Sequence, residues 1–323
     1  MKNTDFKPAW WLRSSHLQTL WPALFKKRHT LDLLTEQVEL TDGDFIDLCW
    51  SKQATETVSS VKTVLVLHGL EGSLSSHYAN GIMFQLARSG YRTVFMHFRG
   101  CSGRINRLPR AYHSGETEDL SFIVEHIKNK TGHYPYATVG FSLGGNVLLK
   151  WLGETGNNNP LKKAVAVSVP FRLSDAAERL EFGLSKIYRN HLLTSLRKTY
   201  IDKFKAIESP LNVDVTQLRS FWEYDDKVTA PLHGFRGAED YYEKCSSRHF
   251  LKGIQVPTRI IHALDDPFMF ESTIPEAGEL SVSIDFLLTD RGGHVGFVSG
   301  NTPFTADYWC EKKILEFISA ADR

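Results

Sequence analysis

Ala137-Thr138-Val139-Gly140-Phe141-Ser142-Leu143-Gly144-Gly145-Asn146 is the stretch on which the fold turns. Its first half is a short apolar run of the kind found in a strand buried on both faces, and Asn146 to Leu152 reads as a helix. Between them stands Gly140-x-Ser142-x-Gly144. A serine on a sharp strand-to-helix turn needs small residues two positions away on each side, because a Cβ there would block the turn that exposes the hydroxyl. The N-terminus of the following helix also favours developing negative charge. The bare pattern arises by chance in about one chain in ten of this length. The strand before it and the helix after it are what make Ser142 a candidate nucleophile.

Outward from this turn the chain alternates. Val64-Leu65-Val66-Leu67 and Thr93-Val94-Phe95-Met96 read as buried strands before it, and Ala164 to Val169 as one after it. Helices fall between them: one runs to about Leu86, and Glu116 to Lys128 carries Leu120, Ile123, Val124 and Ile127 at helical spacing. Strands alternating with helices imply right-handed crossovers and a mostly parallel sheet. Two half-buried strands near Glu36–Leu40 and Phe45–Trp50, turning at Thr41-Asp42-Gly43-Asp44, precede this as a hairpin. The rhythm breaks from about Phe171 to Phe250, where no buried strand is evident and the segment looks mainly helical. It resumes at Thr258–Ala263 and Ser283–Leu288, and a helix near Tyr308–Ala320 closes the chain. A helical insertion between two sheet strands is a natural lid over their C-terminal ends.

A serine hydroxyl needs a base to take its proton, and the base needs an orienting acid. On a sheet of this kind the acid and then the histidine follow the serine in chain order. Asp265-Asp266-Pro267 follows one late predicted strand, and Gly292-Gly293-His294-Val295-Gly296 follows the next; such sheets place their sites at strand ends. His294, flanked by glycines, is the candidate base. Asp266 is preferred over Asp265 as the acid, since the residue before proline is pushed towards extended geometry; Asp265 is left as a turn or capping residue. The backbone N–H groups of Leu70 and Leu143 are the candidate oxyanion hole, because Leu67-His68-Gly69-Leu70-Glu71-Gly72 puts a glycine-bearing turn after the first parallel strand. His68 precedes Ser142 and is read as shaping that loop.

Composition narrows the alternatives. The 323 residues are 42% hydrophobic and 23% charged with a formal net charge of +1, which gives no electrostatic footprint for nucleic acid. Cys49, Cys101, Cys245 and Cys310 form no C-x-x-C pair and suit a reducing compartment, so a cytoplasmic location is expected. No apolar run reaches 18 residues and no signal peptide stands at the start, so no transmembrane segment is expected. His97, Asp119, Asp265 and Asp266 lack the spacing of a metal site, and no nucleotide-binding motif occurs; neither metal nor cofactor is expected. Pro8 to Phe25 is rich in tryptophan and leucine and ends in Lys26-Lys27-Arg28. An arm packed on the domain is favoured over peripheral membrane contact, because Pro22 breaks the helix that an interfacial anchor needs.

Five runs, His68-Gly69-Leu70-Glu71-Gly72-Ser73, His97-Phe98-Arg99-Gly100-Cys101-Ser102-Gly103, Tyr112 to Asp119, Gly140 to Asn146 and Asp265-Asp266-Pro267-Phe268, together resemble the YheT-like branch of the α/β-hydrolase superfamily. The resemblance covers nearly the whole chain. It implies an α/β class protein with the α/β-hydrolase fold: an arm over residues 1–35, the core over 36–170 and 251–323, and a helical lid over 171–250. It also implies Ser142, Asp266 and His294 as a charge-relay triad, and a serine esterase acting on a small-molecule acyl ester. A thioesterase, amidase or acyltransferase on the same triad is the alternative. The run around Arg99 and Cys101 is read as a tight loop rather than as pocket wall, since Gly100 and Gly103 punctuate it. The lid aromatics, among them Phe171, Tyr188, Phe221, Trp222, Tyr224, Tyr241 and Tyr242, fit an acyl pocket and an ordinary lid core equally.

Overall fold

The computed structural model describes residues 2–52 and 61–321. β1 (Lys2–Asn3) enters at the edge of the sheet, and α1 (Ser15–Phe25) begins at Ser14, whose side chain accepts the N–H of His16. β2 (Leu33–Glu39) and β3 (Phe45–Ser51) pair antiparallel as a hairpin. Then β4 (Thr63–Leu67), α2 (His77–Arg88), β5 (Arg92–Met96), α3 (Thr117–Thr131), β6 (Ala137–Phe141), α4 (Leu143–Thr155) and β7 (Lys163–Val167) alternate. A helical excursion follows: α5 (Leu173–Arg179), α6 (Ser185–Ala206), the short α7 (Phe221–Tyr224) and α8 (Ala230–Leu232), and α9 (Ala238–Cys245). The chain returns to the sheet with β8 (Thr258–Ala263) and β9 (Ile284–Thr289), and finishes with the small pair β10 (Val298–Ser299) and β11 (Asp307–Tyr308) and with α10 (Trp309–Ser319).

The main sheet runs β1-β9-β8-β7-β6-β4-β5-β3-β2. Every pairing from β1 to β5 is parallel, and only the β3 pairings with β5 and β2 are antiparallel. Alternation of side chains along each strand divides the core in two. Leu65, Leu67, Val94 and Met96 meet α3 and α4 on one face; Val64, Val66 and Phe95 meet α2 and α10 on the other. Each such side chain, fully buried, contributes about 1.5–3 kcal/mol, which is why the central strands read as unbroken apolar runs. The helical excursion has a core of its own, with Leu193, Tyr200, Leu218, Phe221 and Tyr224 in one cluster and Leu173, Ala238 and Tyr241 in another. All four cysteines are free thiols.

Two expectations need correction. β3 is buried along all seven residues rather than half-buried, because Ile46, Leu48 and Trp50 join one core while Cys49 joins the other. Pro22 does not end a helix: α1 runs through it, and the N–H of Lys26 still reaches the Pro22 carbonyl. Proline at this place removes the N–H that would bond the Gln18 carbonyl. That carbonyl lies instead against Gly296, where a Cβ would collide with it.

Candidate active site

Ser142 sits between β6 and α4 at φ 50° and ψ −118°, a backbone conformation that L residues rarely hold. The surroundings enforce it. A Cβ on Gly140 would stand 2.5 Å from the Gly144 carbonyl oxygen, and one on Gly144 would stand 2.5 Å from that of His68. The Ser142 N–H donates to the Val167 carbonyl and its own carbonyl accepts from Asn146, fixing the turn from both sides. The hydroxyl is thereby held out at the C-terminal edge of the sheet.

Two loops bring partners to it. His294 lies beyond β9, and its Nε2 is 3.0 Å from the Ser142 Oγ. Its Nδ1 is 2.8 Å from Oδ2 of Asp266, which follows β8 and is 2% exposed. The other Asp266 oxygen accepts the Phe268 N–H at 2.8 Å, so the carboxylate is oriented at both ends. The Phe268 ring stacks on the imidazole with centroids 4.0 Å apart. An imidazole so held donates at Nδ1 and accepts at Nε2, the tautomer that takes a proton from a hydroxyl. Asp265 does not join this chain; it accepts the Gly293 N–H at 2.9 Å and so shapes the loop that carries His294. Burial pushes its carboxyl above the ordinary range.

Several supports of His294 carry no sequence signal. Its N–H donates to the Thr19 hydroxyl of α1 at 2.9 Å, across 275 residues of chain. Thr19 in turn donates to the Ser15 carbonyl. The N–H of Val295 donates to Ser168, directly after β7, at 3.0 Å. Gln18, 1% exposed, accepts the Val298 N–H and donates to the Val298 carbonyl, so α1 braces the far end of the same loop. Gly293 and Gly296 are needed for this approach, because a Cβ on either would collide with α1 backbone.

Leu70, Ser142 and Leu143 line one cavity, and among the described residues neither the Leu70 nor the Leu143 N–H meets an acceptor. Much of the rest of the wall is apolar: the helical excursion supplies Leu173, Leu180, Leu192, Leu196, Phe221 and Val228, and the loop after β5 supplies Gly100, Ile105, Pro109, Ala111 and Tyr112. Tyr224, Tyr241 and Tyr242 serve both the excursion's core and this wall, whereas Trp222 faces solvent and Phe171 belongs to the main core. His68 is fully buried, donating through Nδ1 to the Gly69 carbonyl and accepting the Phe98 N–H. Desolvation drives its pKa down to about 3, so it is neutral and out of reach as a base. Arg99 is a tie: its guanidinium grips Asp119 at 2.6 and 2.7 Å and reaches Asp42 and Asp44 of the hairpin turn, although one edge also borders the cavity. Asp119 is thus spent on an ion pair, and no group of three His, Cys, Asp or Glu among the described residues is placed to hold a metal ion.

With this geometry in place, likeness to known proteins is informative. The family model described as the alpha/beta hydrolase fold matches residues 62–300. The chain belongs to the α/β-hydrolase family. Within it, this hydrolase-fold chain is 41% identical over 320 residues to a protein of Escherichia coli K12 named "Putative esterase YheT", covering 98% of this chain and 94% of that one. It is 30% identical over 323 residues to the bovine phospholipase ABHD3, covering 98% of this chain and 78% of the relative. An esterase from Pyrococcus furiosus shares the fold at a TM-score of 0.59 and 17% identity, over 91% of this chain and 92% of the other. Among the described residues no helix of this α/β-hydrolase is long and apolar enough to cross a membrane.

Proposed function

We propose that this α/β-hydrolase is a serine esterase that cleaves carboxylic esters through an acyl-enzyme on Ser142. The observation that carries the reading is the unbroken hydrogen-bond chain from Asp266 through His294 to the Ser142 hydroxyl, opening on an apolar cavity. In the forward step Oγ attacks the acyl carbon while His294 Nε2 takes the hydroxyl proton. The oxyanion lies on the N–H groups of Leu70 and Leu143, at the positive end of α4. The tetrahedral intermediate expels the alkoxide, which leaves as the alcohol with the proton held on His294. Water repeats the sequence on the acyl-enzyme and releases the acid and the free serine. Asp266 orients the ring and stabilises its cationic form.

In this reading residues 171–250 act as the lid, closing the cavity over the C-terminal edge of the sheet, and residues 36–170 and 251–323 form the hydrolase core. The names borne by the E. coli and bovine relatives point to ester substrates rather than amides or thioesters. Four free thiols, three of them buried, fit a reducing compartment. The test is a panel of p-nitrophenyl esters of increasing chain length with Ser142→Ala as control. Turnover by the wild type and loss in the variant support the reading; retained turnover in the variant refutes it.

A further inference from the structure

The helix that braces His294 has a second face that is largely uncovered among the described residues. Gln18, Thr19 and Pro22 of α1 are buried, whereas Leu17, Leu20 and Leu24, at i, i+3 and i+7, are exposed by 48, 40 and 68%. Phe25 extends this row and is 63% exposed. The start of the helical excursion adjoins it, because His16 Nδ1 is 3.1 Å from the Tyr188 hydroxyl and the two rings stack. There Phe182, Leu184 and Ile187 are each more than half exposed. Seven of the thirteen large apolar side chains exposed among the described residues therefore come from two short neighbouring segments. Ordinary surfaces scatter such side chains singly.

Along the α1 row the neighbouring charge has one sign, whereas at the α5–α6 turn Glu178 and Glu181 stand among Arg179, Lys186 and Arg189, with Glu181 paired to Arg189. From Phe6 to Leu31 there are five cations, Lys7, Arg13, Lys26, Lys27 and Arg28, and no acid, in a chain whose net charge is only +1. Lys26 is engaged with the part-buried Glu311, but the other four are exposed. A leucine and phenylalanine row flanked by basic side chains is the pattern of a helix that lies in a lipid interface. Symmetric pairing with a second copy would set these cations against each other.

We propose that this face docks on an anionic lipid surface, with the α1 row and the α5–α6 turn among the acyl chains and Lys27 and Arg28 on the phosphates. The proposal rests on the esterase reading for its consequence: the ester would be met at a lipid surface, beside the loop that α1 holds through Thr19.

The experiment is co-sedimentation with vesicles of phosphatidylcholine and phosphatidylglycerol in equal parts, and with phosphatidylcholine alone, at about 0.1 M salt, where exposed charges still act over about 10 Å. Wild type should sediment with the mixed vesicles. Leu17→Ser/Leu24→Ser/Phe25→Ser should bind at least tenfold more weakly, and Lys27→Glu/Arg28→Glu should lose the preference for the anionic lipid. Both should hydrolyse soluble p-nitrophenyl butyrate at the wild-type rate, which shows that they are folded; Leu24→Glu alone replaces the triple variant should that prove insoluble. Ser142→Ala should sediment like wild type. Wild type left in the supernatant with both vesicles, or apolar variants that sediment as wild type does, would overturn the proposal. So would a dimer in analytical ultracentrifugation that the apolar variants abolish. Failure of the esterase reading looks different, since sedimentation would then persist without turnover of the soluble ester.

Discussion

Asp266→Asn changes one oxygen to an amide nitrogen and leaves the shape of the site alone. In the wild type, one carboxylate oxygen accepts from the Phe268 N–H and the other from His294 Nδ1, each at 2.8 Å. Asparagine has only one acceptor oxygen. If that oxygen faced His294, the amide NH2 would oppose the Phe268 N–H in a buried place, at about 1–3 kcal/mol. The oxygen therefore keeps Phe268, and the NH2 turns to Nδ1. The imidazole must then accept at Nδ1 and carry its proton on Nε2, which points at the Ser142 hydroxyl and has no lone pair left to receive its proton. Loss of this tautomer should lower kcat about 10⁴-fold, as in other serine triads, or about 5 kcal/mol of activation free energy. The assay is kcat on p-nitrophenyl butyrate, with thermal unfolding to show an intact fold. Asp265→Asn, which keeps an acceptor for Gly293, should lose less than tenfold. An Asp266→Asn enzyme within tenfold of wild type would refute the reasoning.

Thr19→Val leaves the His294 N–H without its acceptor, so urea unfolding should show a loss of about 1–3 kcal/mol; kcat should fall with it, and Thr19→Ser should restore both. Gly140→Ala sets a Cβ 2.5 Å from the Gly144 carbonyl, so the variant should be inactive and poorly soluble on expression. Acid should destabilise the fold through buried histidines: His68 and His262, 0 and 1% exposed, have pKa values held down near 3 and 4 by desolvation. Between those values and about 6.5 the unfolded chain binds the extra protons, so their contribution is complete above pH 6.5 and shrinks as pH falls. Each group costs about 1.4 kcal/mol per pH unit in that window. His262→Leu should flatten the slope of unfolding free energy between pH 6.5 and 5 by about that amount, measured by urea titration at several pH values.

What was legible in the sequence is what local sterics dictate. Gly140 is forced by contacts within the turn that carries Ser142 and Gly144 by the close approach of Leu67 and His68 at the end of β4, while β4 and β6 lie between two helical layers, so their runs show no polar alternation. The order of serine, acid and histidine follows from the order of the strands. Contacts between distant segments were not legible. Thr19 looks like any helical threonine until α1 is docked on the His294 loop. β1 is two residues long, too short for any periodicity, and forms only because β9 offers an edge. Pro22 misleads because its cost depends on whether the freed Gln18 carbonyl finds room, and Gly296 provides it. Periodicity alone does not separate a packed arm from an exposed one, because α1 buries Gln18, Thr19 and Pro22 while leaving Leu17, Leu20 and Leu24 exposed.

The most direct measurement is covalent. A fluorophosphonate probe added to the native protein should label one residue, located by peptide mass spectrometry at Ser142, with labelling lost in His294→Ala as well as in Ser142→Ala. Label on another residue, or undiminished labelling without His294, would contradict the account.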